Sequence, residues 1–261
     1  MPFPSVGATE NIILSAVLAK GTTIISNAAR EPEIVDLCDY LVKCGAEIYG
    51  AGESTIYIYG VDNLTPTVHT IIPDRIVAST LMAASAGNRG GGELILNGLI
   101  SSHLDGVIPL FEEAGCNIKV RNSKLKIDSP NRLKPFKSVR TMPYPGFPTD
   151  AQAVMMSVAT VAKGTTVFVE NIFESRYRHV EDLTRLGANI KVANKVAVVE
   201  GVDRLFGAKV VAKDLRGAAA LVVASLKAEG RTEIEGIKYL ERGYEDLEVV
   251  LSSLGANIRK V

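Results

Sequence analysis

Two short patterns recur four times along the chain, always in the same order, and this repeat restricts the fold more than any other feature. LVKCGAEI, FEEAGCNI, LTRLGANI and LSSLGANI place glycines at Gly45, Gly115, Gly187 and Gly255, which are 70, 72 and 68 residues apart. A second glycine landmark precedes each of them: KGTTII at Gly21, GGELIL at Gly91, KGTTVF at Gly164 and EGRTEI at Gly230, by 24, 24, 23 and 25 residues. Two landmarks kept in step over four periods mark one supersecondary unit copied along the chain. Each copy needs its neighbours to bury its apolar faces.

The first copy shows what the unit contains. Residues 9–20 are mostly good helix formers, and Gly21 suits the position just past a helix end. Residues 22–26 are β-branched and short, and read as a strand. Pro32 after Glu31 suits the first turn of a second helix, whose Ile34, Leu37, Leu41 and Val42 recur at helical spacing up to Gly45. Residues 46–49 and 55–59 read as two strands of a hairpin around AGES. In later copies a strand is expected first, at 67–72, 138–141 and 209–212. The full unit is therefore βαβαββ, an α/β (α+β) pattern, and the first copy opens without its leading strand. Its apolar Ile13, Leu14, Val17, Leu18, Ile34, Leu37 and Leu41 are expected to need partners, from a second copy of the chain, a separate N-terminal half, or the later repeats.

With 47% hydrophobic residues the chain can bury a sizeable core. Lys plus Arg and Asp plus Glu both number 29, and this balance argues against a nucleic-acid groove or a membrane surface as partner. No apolar run approaches the roughly 20 residues of a membrane-spanning helix, and the start has no basic-then-apolar signal pattern, so a cytoplasmic location is expected. Cys38, Cys44 and Cys116 lack CxxC spacing and read as small buried residues rather than a disulfide or zinc framework.

The junctions between a leading strand and the following helix are where ligand groups gather, because helix N-termini offer free N–H groups and positive potential. Here they read PSVGATE, IPDRIVA, PYPGFPTDAQA and KDLRGAA. In the third, Pro143, Pro145 and Pro148 stiffen the approach, Thr149 and Gln152 match a Thr-x-x-Gln capping box, and Asp150 lies inside it. On spacing alone Asp150 is an ordinary first-turn acid; the rigid loop favours a fixed functional side chain. Asp74-Arg75 and Asp214-Leu215-Arg216 are acid–base pairs at equivalent junctions, whose plain reading is a capping acid with a solvent arginine. IFESRYRH and YLERGYED add Arg176, Arg178, His179 and Arg242. Arginines at several equivalent loops suggest a multiply anionic ligand, since guanidinium matches phosphate and carboxylate in bidentate fashion.

SVGATEN, AAREPEIVDL, PYPGFPTDAQA, IFESRYRHV, DLRGAAALV and RGYEDLE together resemble the UDP-N-acetylglucosamine 1-carboxyvinyltransferases, from Pro4 to Val261 at nearly constant register. The resemblance implies an inside-out α/β barrel of two lobes, each of three βαβαββ units. Four of those six units are expected here, residues 1–64 as the last unit of the first lobe and 65–261 as the second lobe without its N-terminal strand. The start at Met1 is then a natural truncation, an engineered one, or the opening of the second half of a split enzyme. The activity implied is transfer of enolpyruvate from phosphoenolpyruvate to the 3-hydroxyl of UDP-N-acetylglucosamine in peptidoglycan synthesis, with no metal and no organic cofactor. A non-catalytic nucleotide-sugar-binding or regulatory protein on the same fold is the alternative.

By the same resemblance, Ser5, Val6 and Gly7 meet the sugar-nucleotide diphosphate, and Ile172 and Phe173 line the nucleotide-sugar site. Asp150 contacts the 3-hydroxyl as its base. Arg176, Arg216 and Arg242 surround phosphoenolpyruvate and the tetrahedral intermediate. The family's Lys-Asn pair and the mobile loop bearing its general acid match no position of this sequence, so the chain alone is expected to be inactive. Ser175, Gly217 and Glu241 depart from the usual residues, and the longer Glu241 is expected to disturb Arg242.

Overall fold

The computed structural model describes residues 1–88 and 90–261. They form two compact units, Met1–Pro73 with Pro143–Gly146, and Asp74–Met142 with Phe147–Val261.

In the first unit the order is α1 (Val6–Ala16), β1 (Thr22–Ser26), α2 (Pro32–Lys43), β2 (Glu47–Tyr49) and β3 (Thr55–Tyr59). The three strands make an antiparallel sheet in the order β1-β3-β2. Helix α1 starts three residues ahead of the expected 9, because Ser5 caps it by accepting the Ala8 N–H at 3.3 Å. Ile13 and Val17 of the first helical stretch and Ile34, Cys38 and Leu41 of α2 pack on Ile25, Ile48, Ile56 and Ile58. The amphipathic helices thus find most of their partners inside the unit, while Leu14 and Leu18 face outward, 52% and 56% exposed.

The strand expected at 67–72 does not form. Residues 65–73 belong to no strand or helix, and Pro66 and Pro73 at the two ends of this segment lack a backbone donor. One backbone bond and the His69 side chain tie the segment to α2 and its end instead. Thr65 N–H donates to Cys44 O at 2.8 Å, and His69 meets Asp36 at 2.8 Å and Lys43 at 3.0 Å. Compactness therefore groups these residues with the first unit, past the repeat boundary at 64.

The second unit holds three copies. The first is α3 (Arg75–Ser85), β4 (Gly92–Asn97), α4 (Ile108–Glu113), β5 (Asn117–Arg121) and β6 (Lys124–Ser129). Next come β7 (Ser138–Arg140), α5 (Thr149–Ala159), β8 (Thr165–Val169), α6 (Val180–Arg185), β9 (Asn189–Ala193) and β10 (Val196–Glu200), the complete βαβαββ order. The last is β11 (Leu205–Phe206), β12 (Lys209–Val211), α7 (Leu215–Ser225), β13 (Ala228–Glu229), β14 (Glu233–Glu235) and α8 (Leu247–Ser253). The sheets run β4-β6-β5 and β7-β8-β10-β9, with β7 parallel to β8, and β12 and β14 pair in parallel.

The recurring glycines have one cause. Gly45, Gly115, Gly187 and Gly255 sit at φ of 102°, 99°, 95° and 98°, left-handed backbone that glycine adopts without a Cβ penalty. The N–H of the next residue then turns back onto the ended helix: Ala46 to Leu41, Cys116 to Phe111, Ala188 to Leu183 and Ala256 to Leu251.

At the centre of the second unit α3, α5 and α7 pack on one another. Every residue of α5 from Ala151 to Ala159 is buried, as is α7 from Gly217 to Ala224. Small residues allow so close an approach that Ser157 Oγ donates across to Ala220 O at 2.7 Å. Buried helices inside and sheets exposing one face outside are what periodicity alone does not foretell for helices with no polar side.

Candidate functional site

Asp150, on one junction loop of the second unit, meets side chains from a second junction, KDLRGAA, and from the loop after β8. It stands in the first turn of α5, after a stiff approach in which Tyr144-Pro145 is cis. The expected capping box is not formed. Pro148 occupies the cap position with no acceptor side chain, and Thr149 is already helical, one residue too late to cap. Gln152 is 1% exposed, and its amide atoms have no partner among the described residues.

Thr149 serves another purpose. Its hydroxyl donates at 3.0 Å to Glu170 Oε2, while Glu170 Oε1 accepts from the Thr141 hydroxyl at 2.8 Å and the N–H groups of Ile172 and Phe173 at 2.9 and 3.1 Å. Glu170 is 1% exposed. This one carboxylate fastens the end of β7, the start of α5 and the turn after β8, fixing the backbone from which Asp150 and Arg176 project. Sequence reasoning passed over it. An acid directly after a strand and ahead of Asn-Ile-Phe can accept from N–H groups two and three residues on, and that pattern was its signal.

The Asp150 carboxylate lies between two guanidinium groups. Arg176 Nη2 donates to Oδ1, and Arg216 Nη2 donates to Oδ2 at 3.0 Å. Arg176 is further fixed by the Phe173 ring, whose centroid lies 5.1 Å from its Cζ. The buried Tyr244 hydroxyl lies beside Arg216 and meets Thr80 Oγ1 at 2.8 Å. Arg216 is thus no solvent arginine, whereas Asp74 and Asp214 are caps: Asp74 accepts from Ile76 and Val77 N–H, and Asp214 from Gly217 N–H.

Burial pushes the Asp150 carboxyl up, but Arg216 and Arg176 outweigh it and leave it below the usual carboxylate range. Burial lowers Arg216, and Asp150 and Tyr244 more than restore it, so both partners are charged at neutral pH. His179, next to Asp214 and Arg176 and 3% exposed, is pushed down to about 4 chiefly by burial, and stays neutral. Two cations around one anion leave a net positive charge beside the N-terminus of an 11-residue helix, an arrangement that attracts a further anion.

The other expected site residues lie around this centre or apart from it. Ile172 is half-buried and Phe173 is exposed on the turn held by Glu170. Arg242 is exposed at the end of a 3-10 turn, without a hydrogen bond or ion pair among the described residues, two positions before Tyr244. The carboxylate of the neighbouring Glu241 is paired with Lys260. Ser5, Val6 and Gly7 belong to the first unit, at the start of α1, where an added Cβ at Gly7 would meet nothing within 4 Å.

Among the described residues no helix is long and apolar enough to cross a membrane, and no group of three or more His, Cys, Asp or Glu side chains could hold a metal ion.

Repeated units with buried helices, and a carboxylate gripped by arginines at a strand-to-helix junction, make this an α+β protein with an anion-attracting site. The model of the EPSP synthase (3-phosphoshikimate 1-carboxyvinyltransferase) family matches residues 1–251, and the chain belongs to that family of enzymes. It is 51% identical over 261 residues to UDP-N-acetylglucosamine 1-carboxyvinyltransferase 2 of Caldanaerobacter subterraneus, covering 100% of this chain and 62% of that protein. It is 48% identical to UDP-N-acetylglucosamine 1-carboxyvinyltransferase 1 of Carboxydothermus hydrogenoformans, covering 100% of this chain and 61% of that one. The chain thus spans about three fifths of the length of these relatives. Among solved structures, the enolpyruvyl transferase NikO from Streptomyces tendae matches with a TM-score of 0.87 at 28% identity, over 97% of this chain and 60% of that one. EPSP synthase from Acinetobacter baumannii shares the fold at a TM-score of 0.73 and 19% identity, over 100% of this chain and 62% of that one.

Proposed function

We propose that this chain carries the base and the anion-holding arginines of an enzyme that transfers enolpyruvate from phosphoenolpyruvate to the 3-hydroxyl of UDP-N-acetylglucosamine, in peptidoglycan synthesis. The observation that carries the reading is Asp150 held between Arg176 and Arg216. The names of the relatives at 51% and 48% identity support the choice of acceptor.

The chemistry is an addition followed by an elimination. The hydroxyl oxygen bonds to C2 of phosphoenolpyruvate, Asp150 takes the hydroxyl proton, and the C2–C3 π pair takes up a proton at C3. The C2–O bond to phosphate then breaks, phosphate leaves with the bonding pair, and C3 loses a proton to restore the methylene. Arg176, Arg216 and Arg242 balance the substrate's phosphate and carboxylate as charge shifts onto the leaving group. An arriving anion draws the two guanidinium groups away from Asp150. Its pKa then rises toward the ordinary range, which makes it a better base when substrate is present. Ser5, Val6 and Gly7 offer helix-terminal N–H groups to the diphosphate, and Ile172 and Phe173 line the nucleotide sugar.

The proton for C3 is assigned to no residue of this chain. Cys38, Cys44 and Cys116 are all buried, and burial pushes the Cys38 thiol up to about 11. The chain by itself is therefore expected to be inactive. Its proposed partner is a separate N-terminal half, or a second copy of the chain, covering the exposed Leu14 and Leu18. The test is phosphate release from phosphoenolpyruvate with UDP-N-acetylglucosamine. The chain alone should give none. Addition of the part of the Caldanaerobacter relative that this chain does not cover should give turnover, abolished by Asp150→Asn. No turnover in the mixture, with both substrates bound, would favour a nucleotide-sugar-binding protein that has lost catalysis.

A further inference from the structure

The outer face of the first unit's sheet carries an arrangement that enolpyruvyl transfer does not use. Strands β2 and β3 pair so that Glu47 stands opposite Tyr59 and Tyr49 opposite Tyr57. Strand alternation sends these four side chains outward, over the buried Ile48, Ile56 and Ile58. Directly opposed residues in such a pair stand about 5 Å apart at Cβ, so the four form one square with three phenol rings and one carboxylate. Tyr49 and Tyr59 meet edge to face across the diagonal, with ring centres 5.9 Å apart and planes at 75°. Glu47, Tyr49, Tyr57 and Tyr59 line a shallow cavity of about 520 Å³, within the range of small-ligand sites. The adjoining outward positions on β1 and β3 are Thr22, Ile24, Ser26 and Thr55, so no basic side chain of these strands competes for the carboxylate.

We propose that this square binds a small alkylated ammonium cation. Aromatic faces are negative, and three of them with a carboxylate make a site for positive charge. The choice among cations follows from the openness of the face. The three tyrosines are 59%, 41% and 42% exposed, and Glu47 is the one charged acceptor among the four residues, too little to replace the waters that a compact, strongly hydrated ammonium gives up on contact. A quaternary methylated ammonium is weakly hydrated, has no N–H to satisfy, and presents methyl groups to the rings. Glu47 supplies charge complementarity at one corner without needing a hydrogen bond.

Ring-labelled tyrosine in the full chain, titrated with choline and with its neutral isostere 3,3-dimethylbutanol, tests this by NMR. The expected result is saturable shifts of three of the eight tyrosine signals, with a dissociation constant on the order of millimolar. The isostere should bind at least about tenfold more weakly. Glu47→Gln should weaken choline and leave the isostere unchanged, and Tyr59→Leu should remove the choline response while the tyrosines outside the square keep their positions. No saturable shift, equal affinity for the two probes, or shifts confined to tyrosines outside the square would each overturn the proposal.

Discussion

Glu170 is the side chain on which the candidate site's geometry rests, and replacing it tests that directly. Alanine removes four hydrogen bonds to one buried carboxylate, from Thr141, Thr149, Ile172 and Phe173. Bonds to a charged group each stabilise by about 1.5–3 kcal/mol net, but they are not additive, and water can reach the exposed Phe173 end. Thr141 is fully buried; its hydroxyl still accepts from Asn171 N–H at 2.8 Å, but its own O–H would be left without an acceptor. Glu170→Ala is therefore expected to cost about 3–5 kcal/mol. Glu170→Gln keeps the shape: its amide oxygen can take the three Oε1 donors, and its amide nitrogen can donate to Thr149 Oγ1. It loses only the charge assistance, about 1–2 kcal/mol. Urea unfolding gives both differences, and the alanine variant should melt roughly 10 °C lower for a chain of this size. An alanine variant within about 1 kcal/mol of wild type, or a glutamine variant worse than alanine, would refute the assignment of Glu170 as the fastening group.

Other consequences follow from the same packing. His179 is neutral in the folded chain with a pKa near 4, below the ordinary 6.5, so the unfolded chain binds more protons between those values. Stability should fall as pH drops from 6.5 toward 4, and His179→Phe should flatten that part of the pH profile in urea titrations. An added Cβ at Gly201 would lie 1.7 Å from the Ala162 carbonyl oxygen, so Gly201→Ala should lose at least about 2 kcal/mol on unfolding. Gly7→Ala has open space and should leave stability within about 1 kcal/mol of wild type or raise it; a loss of UDP-N-acetylglucosamine affinity in calorimetry would then mark a ligand approaching the backbone there.

What was legible in the sequence was whatever local chemistry dictates. The four left-handed glycines announced the repeat, and the β-branched runs at Thr22–Ser26 and Thr55–Tyr59 are strands with the expected bounds. The misreadings share a cause: pairing partners are not written into a segment. Residues 67–72 have strand propensity, yet they are bracketed by prolines and held by side chains of α2. Thr149 has the spacing of a cap, yet Glu170, which takes its hydroxyl, is 21 residues away. Asp150 and Arg176 stood out by their loops, and their ion pair needed the fold to bring the α5 and β8 ends together. By its local pattern alone Arg216 reads as a capping acid's exposed neighbour, because its partner is 66 positions distant; the family resemblance is what singled it out.

The central claim is that Asp150 addresses the 3-hydroxyl of UDP-N-acetylglucosamine, and a binding cycle tests it most directly. Calorimetry would compare that ligand with its 3-deoxy analogue, on wild type and on Asp150→Asn, each in the mixture that restores binding. Hydrogen bonds to a charged acceptor discriminate by about 1.5–3 kcal/mol, so the wild type should lose at least about tenfold in affinity when the hydroxyl is absent. The Asn variant should show little difference between the two ligands. The same loss in both proteins would place the 3-hydroxyl away from Asp150 and contradict the account.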